Sequence, residues 1–316
     1  MKILYIKDEE VLQLVTVPEV IETLEAAFGD QAKGRAFTNS RNRLRMPGTT
    51  LHMMAGAIPG YFGYKAYTVG AGKAQFLFFL YDAQTTDLVA MMEADTLGQI
   101  RTGAATGLAT RLLSNPDASE ATLFGAGWQA QSQLLAMDSV RSLKRVWIVN
   151  RNSDRREAFI RKMQPQVKAR LVAAGSPDEA VRSSQIVTTM TSSREPVLKG
   201  EWLQPGTHVT AAGGNSLLRK EIDDEAVLRA NRVVVDSVEQ AKIEVGEFVG
   251  VIETGRRRWE DFVELRHVVP GLIPGRTDRS DITLFKSQGL ALEDVAIGRL
   301  VYERALKQGL GRTSDL

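Results

Sequence analysis

Ala121-Thr122-Leu123-Phe124-Gly125-Ala126-Gly127-Trp128-Gln129-Ala130 decides the fold of this 316-residue chain. Four residues suited to a buried strand run into Gly-Ala-Gly, and a helix-compatible run follows. Gly125 permits a tight turn and Gly127 lets backbone approach a phosphate. Ala130 takes the third small position, where a helix packs on a strand. A phosphate at such a turn meets the unpaired N–H groups of a helix N-terminus. By itself this glycine pattern fits a plain tight turn as well as a dinucleotide loop, so its surroundings decide.

Downstream, apolar runs at residues 122–124, 145–149, 169–172, 186–189, 208–211 and 233–236 read as strands. Helical segments separate most of them, at residues 129–140, 153–163 and 177–182. Apolar strands alternating with helices predict a parallel sheet covered on both faces. The glycine stretch follows the first strand of that series, which makes it a dinucleotide loop. The second strand ends in Asn150-Arg151-Asn152, where a NAD site usually carries Asp or Glu on the ribose 2′-OH. Asn150 is neutral, and Arg151 suits a 2′-phosphate. We therefore expect NADP(H), with NAD(H) as the alternative; an Arg151 that simply faces solvent is the plainer reading.

The first 95 residues are different in rhythm. A short strand at residues 3–6 precedes helices that begin near Asp8 and Pro18. Alternating segments follow, with Pro47-Gly48 as a turn, a strand at residues 64–69, and a hairpin formed by residues 76–82 and 88–92. A long small-residue helix covers residues 95–113, and Ser114-Asn115-Pro116-Asp117 breaks it. A closing helix is expected to run to about Ala305, and the tail from Gly311 to be frayed. The fold class is α/β: a Rossmann domain at residues 117–289, preceded by an α+β portion at residues 1–116.

Composition limits the function. The chain is 43% hydrophobic and 25% charged with net charge +2, so neither nucleic acid nor an acidic membrane surface is expected as a partner. Arg256-Arg257-Arg258 reads as a solvated helix end. No cysteine is present, which excludes disulfides and thiolate catalysis. No metal-ligand pattern occurs, and no apolar run approaches the ~18 residues of a membrane span. A cytoplasmic location is the expectation. Among the histidines, His208 lies in a strand and reads as structural, His267 as a loop residue, and His52 as a residue that faces either a pocket or the core.

The chain resembles the ornithine cyclodeaminase/μ-crystallin family across nearly its whole length. The matching segments are Arg41 upstream of His52-Met53-Met54, Lys65 in a strand, Ile100-Arg101-Thr102-Gly103-Ala104-Ala105, the glycine stretch, Ala211-Ala212-Gly213-Gly214-Asn215, and residues 283–294. The arginine-threonine helix and the closing segment are much more specific than the glycines. The resemblance implies a homodimer in which residues 1–116 with 290–316 form the substrate-binding and dimerisation domain, and an oxidoreductase acting on a small carboxylate-bearing imine or amino acid. It implies that Arg41 and Lys65 hold the substrate carboxylate, with Arg43 as the alternative clamp to Arg41; on the Arg41 reading Arg43 and Arg45 are decoys or surface residues. A planar guanidinium suits a carboxylate, and a lysine of lowered pKa can pass a proton to nitrogen. It further implies that Arg101 meets the pyrophosphate, that Gly125, Gly127, Trp128, Gln129, Asn150, Arg151, Thr191, Ala211 and Ala212 line the cofactor, and that Ser287 and Gln288 approach the nicotinamide and substrate.

Two positions depart from the family's cyclodeaminases. These carry an aspartate where this chain has Asn215, and asparagine cannot take up a proton at neutral pH although it can hydrogen-bond an amine or imine. The acid expected after the second strand is replaced by Asn150. Both departures favour net reduction over the ammonia-releasing cycle. The expectation is an NAD(P)H-dependent reductase of cyclic or open-chain α-imino acids, such as Δ1-pyrroline-2-carboxylate or Δ1-piperideine-2-carboxylate. The alternatives are ornithine cyclodeaminase, an amino-acid dehydrogenase such as alanine dehydrogenase, and a non-catalytic NADPH-binding protein.

Overall fold

A computed structural model describes residues 2–315. The chain forms two compact units, Met1–Arg101 with Gly289–Leu316, and Thr102–Gln288. The division falls inside one helix, earlier than the expected boundary at Pro116. The Asn115-Pro116 break still ends that helix, since proline's neighbour is disfavoured in helical backbone.

The first unit opens with β1 (Lys2–Ile6), α1 (Asp8–Leu14) and α2 (Val17–Ala32). Then come β2 (Phe37–Thr38), β3 (Asn42–Met46), β4 (Thr49–Ile58), β5 (Tyr61–Gly70), β6 (Lys73–Asp82), β7 (Leu88–Glu93) and the start of α3 (Asp95–Leu113). Among the described residues these strands join a mixed eight-stranded sheet, ordered β16-β1-β7-β6-β5-β4-β2 with β3 also on β4; β16 is Arg312–Asp315. The segment from Gly311 expected to fray is thus a strand antiparallel to β1, with Leu4 opposite Thr313. The long α11 (Ala291–Gln308) packs on β4, β5 and β6. Gly56 and Gly298 permit this approach: a Cβ on Gly56 would lie 2.8 Å from the Leu292 nitrogen, and one on Gly298 would strike Phe78.

The second unit contains the rest of α3, then β8 (Glu120–Phe124), α4 (Trp128–Val140), β9 (Arg145–Val149), α5 (Ser153–Met163), β10 (Arg170–Ala173), α6 (Pro177–Arg182), β11 (Ile186–Thr189) and β12 (His208–Ala211). It continues with α7 (Asp224–Arg229), β13 (Arg232–Val235), α8 (Val238–Glu244), α9 (Gly246–Glu253), β14 (Phe262–Glu264), α10 (Leu265–Val268) and β15 (Thr283–Lys286). All pairings in its sheet are parallel, in the order β10-β9-β8-β11-β12-β15-β13-β14. The order reverses at β8, the switch point where open α/β sheets bind ligands. Apolar clusters fill both faces of the sheet. Two of these strands, β14 and β15, were not among those expected. His267 belongs to the short α10 rather than to a loop. Of the arginine run, Arg257 is not simply solvated: its guanidinium donates to the carbonyls of Val227, Leu228 and Ala230 and so closes the end of α7.

Candidate active site

In the first unit, β5 and the N-terminus of α11 build a buried charged cluster. Period-two alternation turns Lys65 and Tyr67 towards α11. Lys65 is opposite Met54 in the strand pairing. Its Nζ donates to Asp294 Oδ1 at 2.7 Å, with both side chains almost wholly buried. Arg101 reaches the same carboxylate oxygen through Nε at 3.2 Å and Glu293 through Nη1 at 2.8 Å. Arg41 is buried beside them: Nε contacts Met54 Sδ at 3.2 Å and Nη2 donates to the Gly289 carbonyl at 3.2 Å. Gly289 has φ +77°, and a Cβ there would collide with the Arg101 guanidinium. A glycine is therefore what lets two arginines approach one turn.

Burial, followed by the repulsion of Arg101, pushes Lys65 down to about 8, against the attraction of Asp294. Such a lysine holds a proton at neutral pH and can give it up without strong base. Asp294 Oδ2 is buried and makes no hydrogen bond among the described residues. His52 stacks on Tyr67 at 4.3 Å, and burial, then Arg43, Arg41 and Arg45, lowers its pKa to about 4. It is neutral at pH 7. Of the three arginines near β3, Arg41 is buried, Arg43 half-buried and Arg45 exposed.

In the second unit, the glycine stretch lines a cleft of about 1190 Å³. Gly125 has φ +114°, and a Cβ would collide with the Met190 carbonyl. Gly127 stands at the N-cap of α4 in extended backbone and, as a glycine, brings no side chain to the mouth of the helix. A Cβ on Gly127 would meet nothing within 4 Å, which marks open space at the mouth of the helix. Trp128, Gln129, Asn150, Arg151 and Thr191 also line the cleft. Asn150 Oδ1 accepts from the Asn152 N–H at 2.9 Å, and Asn152 Oδ1 from the Arg155 N–H at 2.8 Å. These bonds fix the turn that presents Arg151 and Arg155, both exposed on the cleft wall.

The remaining residues fall elsewhere in this unit. Ala211 is fully buried at the end of β12, and Gly213 rather than Ala211 or Ala212 lines the cleft. Asn215 is half-buried in the loop beyond. Ser287 and the Gln288 N–H both donate to Asp236 Oδ2, at 3.3 and 2.5 Å. Glu221 clamps two loops, accepting from the Thr191 and Gly213 N–H groups, each at 2.6 Å.

Sequence reasoning overlooked Asp294, Glu293, Asp236, Glu221 and Arg155. Asp294 and Glu293 stand in the first turn of a helix, where acids ordinarily serve the dipole, so nothing local marks them as site residues. Arg155 stands in the first turn of α5, three residues after the Asn152 cap, a place that an Asn N-cap signal in the sequence could have pointed to.

Among the described residues no group of acids and histidines is arranged to hold a metal, and no helix is long and apolar enough to cross a membrane. The family model "Ornithine cyclodeaminase/mu-crystallin family" matches residues 2–309. A Δ1-pyrroline-2-carboxylate reductase from Bacillus cereus is 33% identical over 98% of this chain and 98% of its own. The structure of the Δ1-pyrroline-2-carboxylate reductase of Thermococcus litoralis with NADH and L-proline superposes with a TM-score of 0.93 at 30% identity, covering 99% of this chain and 100% of that one. An archaeal alanine dehydrogenase dimer with bound NAD gives 0.94 at 31% identity, with both chains fully covered. Matched by the family model over nearly its whole length and by relatives above 30% identity, the chain belongs to the ornithine cyclodeaminase/mu-crystallin family.

Proposed function

We propose that this protein reduces cyclic or open-chain α-imino acids with NADP(H). The observation that carries the reading is the buried Lys65 beside Arg41, a proton donor next to a carboxylate-binding cation. Arg41 would hold the substrate carboxylate and Lys65 would deliver a proton at the substrate nitrogen. The cleft suits a dinucleotide because the open space at Gly127 lies at the N-terminus of α4, where the helix dipole favours a pyrophosphate. Reduced nicotinamide, when bound, supplies the hydride. Asn150 in place of an acid, with Arg151 and Arg155 on the same wall, supports NADP(H) over the NAD(H) held by the two solved relatives. Asn215 would hydrogen-bond the nitrogen without taking its proton, which favours reduction over cyclodeamination.

The test is turnover of Δ1-pyrroline-2-carboxylate and Δ1-piperideine-2-carboxylate, assayed with NADPH and NADH side by side. Oxidation of NADPH by at least one imine is expected, and Lys65→Ala should abolish turnover while NADPH binding stays intact. Ammonia and proline formed from L-ornithine with catalytic NAD alone would replace the reading by a cyclodeaminase.

The outer face of the first unit's sheet supports a homodimer. Phe62 stacks on Tyr81 at 5.3 Å and Tyr64 on Phe79 at 4.7 Å, with Leu77 and Met53 on the same side. A contiguous aromatic face of this kind fits a second copy of the chain.

A further inference from the structure

We infer that Asp294 is a positioning residue that sets the pH at which Lys65 delivers its proton. The inference rests on the reading of Lys65 as proton donor. Three observations carry it. Asp294 Oδ1 lies 2.7 Å from Lys65 Nζ, inside hydrogen-bond distance, and both groups are buried. The same oxygen is shared with Arg101 Nε at 3.2 Å, so the carboxylate is held from two directions and cannot swing away. Its other oxygen, Oδ2, is buried without a hydrogen-bond partner among the described residues, an arrangement that costs stability and that a purely structural ion pair would not need.

The charges around Lys65 come from three parts of the chain. Asp294 and Glu293 stand on α11, Arg101 on α3, and Arg41 just before β3. Arg101 and Arg41 repel the ammonium, and Asp294 attracts it. With the Asp294 carboxylate present the lysine stays near 8; with Asp294 neutral, burial and two cations act on it unopposed. The sign is therefore fixed. Proton delivery requires protonated Lys65, so wild-type kcat/KM falls as pH rises through about 8. Loss of the Asp294 charge moves that limb to lower pH.

The experiment compares pH profiles of wild type, Asp294→Asn and Asp294→Glu on the intact protein with Δ1-pyrroline-2-carboxylate and NADPH. Asp294→Asn is expected to shift the limb down by about one unit or more, which is about a tenfold loss above the limb, relieved as the pH is lowered. The dinucleotide KM stays within about twofold, because the change acts on a proton and not on cofactor binding. Asp294→Glu keeps the charge and a limb near that of the wild type. A limb that stays put in Asp294→Asn, a loss not relieved at low pH, or a loss carried by the dinucleotide KM overturns the inference. Should Asp294→Asn fail to fold, the wild-type Asp294 carboxyl 13C resonance decides: it is expected to respond as Lys65 titrates near pH 8, and silence there overturns the coupling. Lys65→Met run in parallel separates the two readings. If it retains turnover, Lys65 is not the donor; if it is dead while the Asp294→Asn limb is unmoved, only the role of Asp294 fails.

Discussion

Gly125 and Gly127 look equivalent in sequence, yet the structure gives each a different reason to be glycine. Gly125 sits at φ +114° with the Met190 carbonyl where a Cβ would be, so its constraint belongs to the folded protein itself. Gly127 has φ −99° and ψ −174°, backbone open to any residue, and nothing within 4 Å of a Cβ. On the proposed function its constraint comes from the dinucleotide. Two substitutions separate these cases. Gly125→Ala should unfold at clearly lower temperature, with a cost of about 1–3 kcal/mol for the backbone strain alone. Gly127→Ala should melt like wild type while its Kd for NADPH, measured by fluorescence titration, rises about tenfold or more as the methyl enters the phosphate space. Wild-type affinity in Gly127→Ala would remove the pyrophosphate from that position. The motif was legible in the sequence because glycine spacing records both constraints at once. The charged cluster was legible only in part: Arg41 and Lys65 were found by resemblance, whereas Asp294 lies 229 residues from Lys65 and only folding brings them together.

At the scale of elements, the central strands of the parallel sheet declared themselves through apolar runs, while β14 and β15 did not. Phe262-Val263-Glu264 is too short to show a period. Thr283-Leu284-Phe285-Lys286 ends in a lysine that reads as solvated, yet Lys286 is buried and paired with Glu247 at 3.0 Å. β16 was lost for a similar reason, since its residues are polar and its order comes from pairing with β1. The sheet also hides a titratable group. His208 on β12 is fully buried, with Nδ1 3.0 Å from Thr283 Oγ1 and Nε2 3.2 Å from Thr210 Oγ1. Burial, then Arg276 and Arg141, pushes its pKa down to about 3. Between its ordinary value near 6.5 and about 3 the unfolded chain binds a proton that the folded chain refuses. Stability from this residue is thus complete above 6.5 and lost as the pH falls, at about 1.4 kcal/mol per pH unit. His208→Gln, which can keep both hydrogen bonds, should flatten the acid side of the stability curve by that slope. Chemical denaturation at a series of pH values checks it, and parallel curves for the two proteins would show that His208 does not titrate on unfolding.

For the whole molecule, the α/β class and the nicotinamide-fold half followed from the alternation of strand and helix after residue 116, a local pattern that one chain can carry. Association with a second chain leaves a weaker trace. In β5 and β6 both faces carry aromatics, so the alternation alone does not say which face the rest of the chain covers. The structure separates them. Tyr67, Phe76 and Phe78 turn towards α11, and Phe62, Leu77, Phe79 and Tyr81 turn away from it. On the outward side Phe62 and Leu77 are each 37% exposed, a high value for side chains at the middle of an eight-stranded sheet. On the proposed reading this outward apolar face is where a second copy docks, and burial of the face against its own copy would satisfy twofold symmetry. Light scattering of the wild type should therefore give twice the 34.8 kDa chain mass. Leu77→Glu combined with Phe62→Glu places like charges on both copies of the face, where each charge would lose its water. That variant is expected to run at the mass of a single chain and to lower the melting temperature. If it keeps the wild-type mass, the aromatic face is not the interface and the second copy binds elsewhere; if the wild type itself has the mass of one chain, the dimer proposal falls with it.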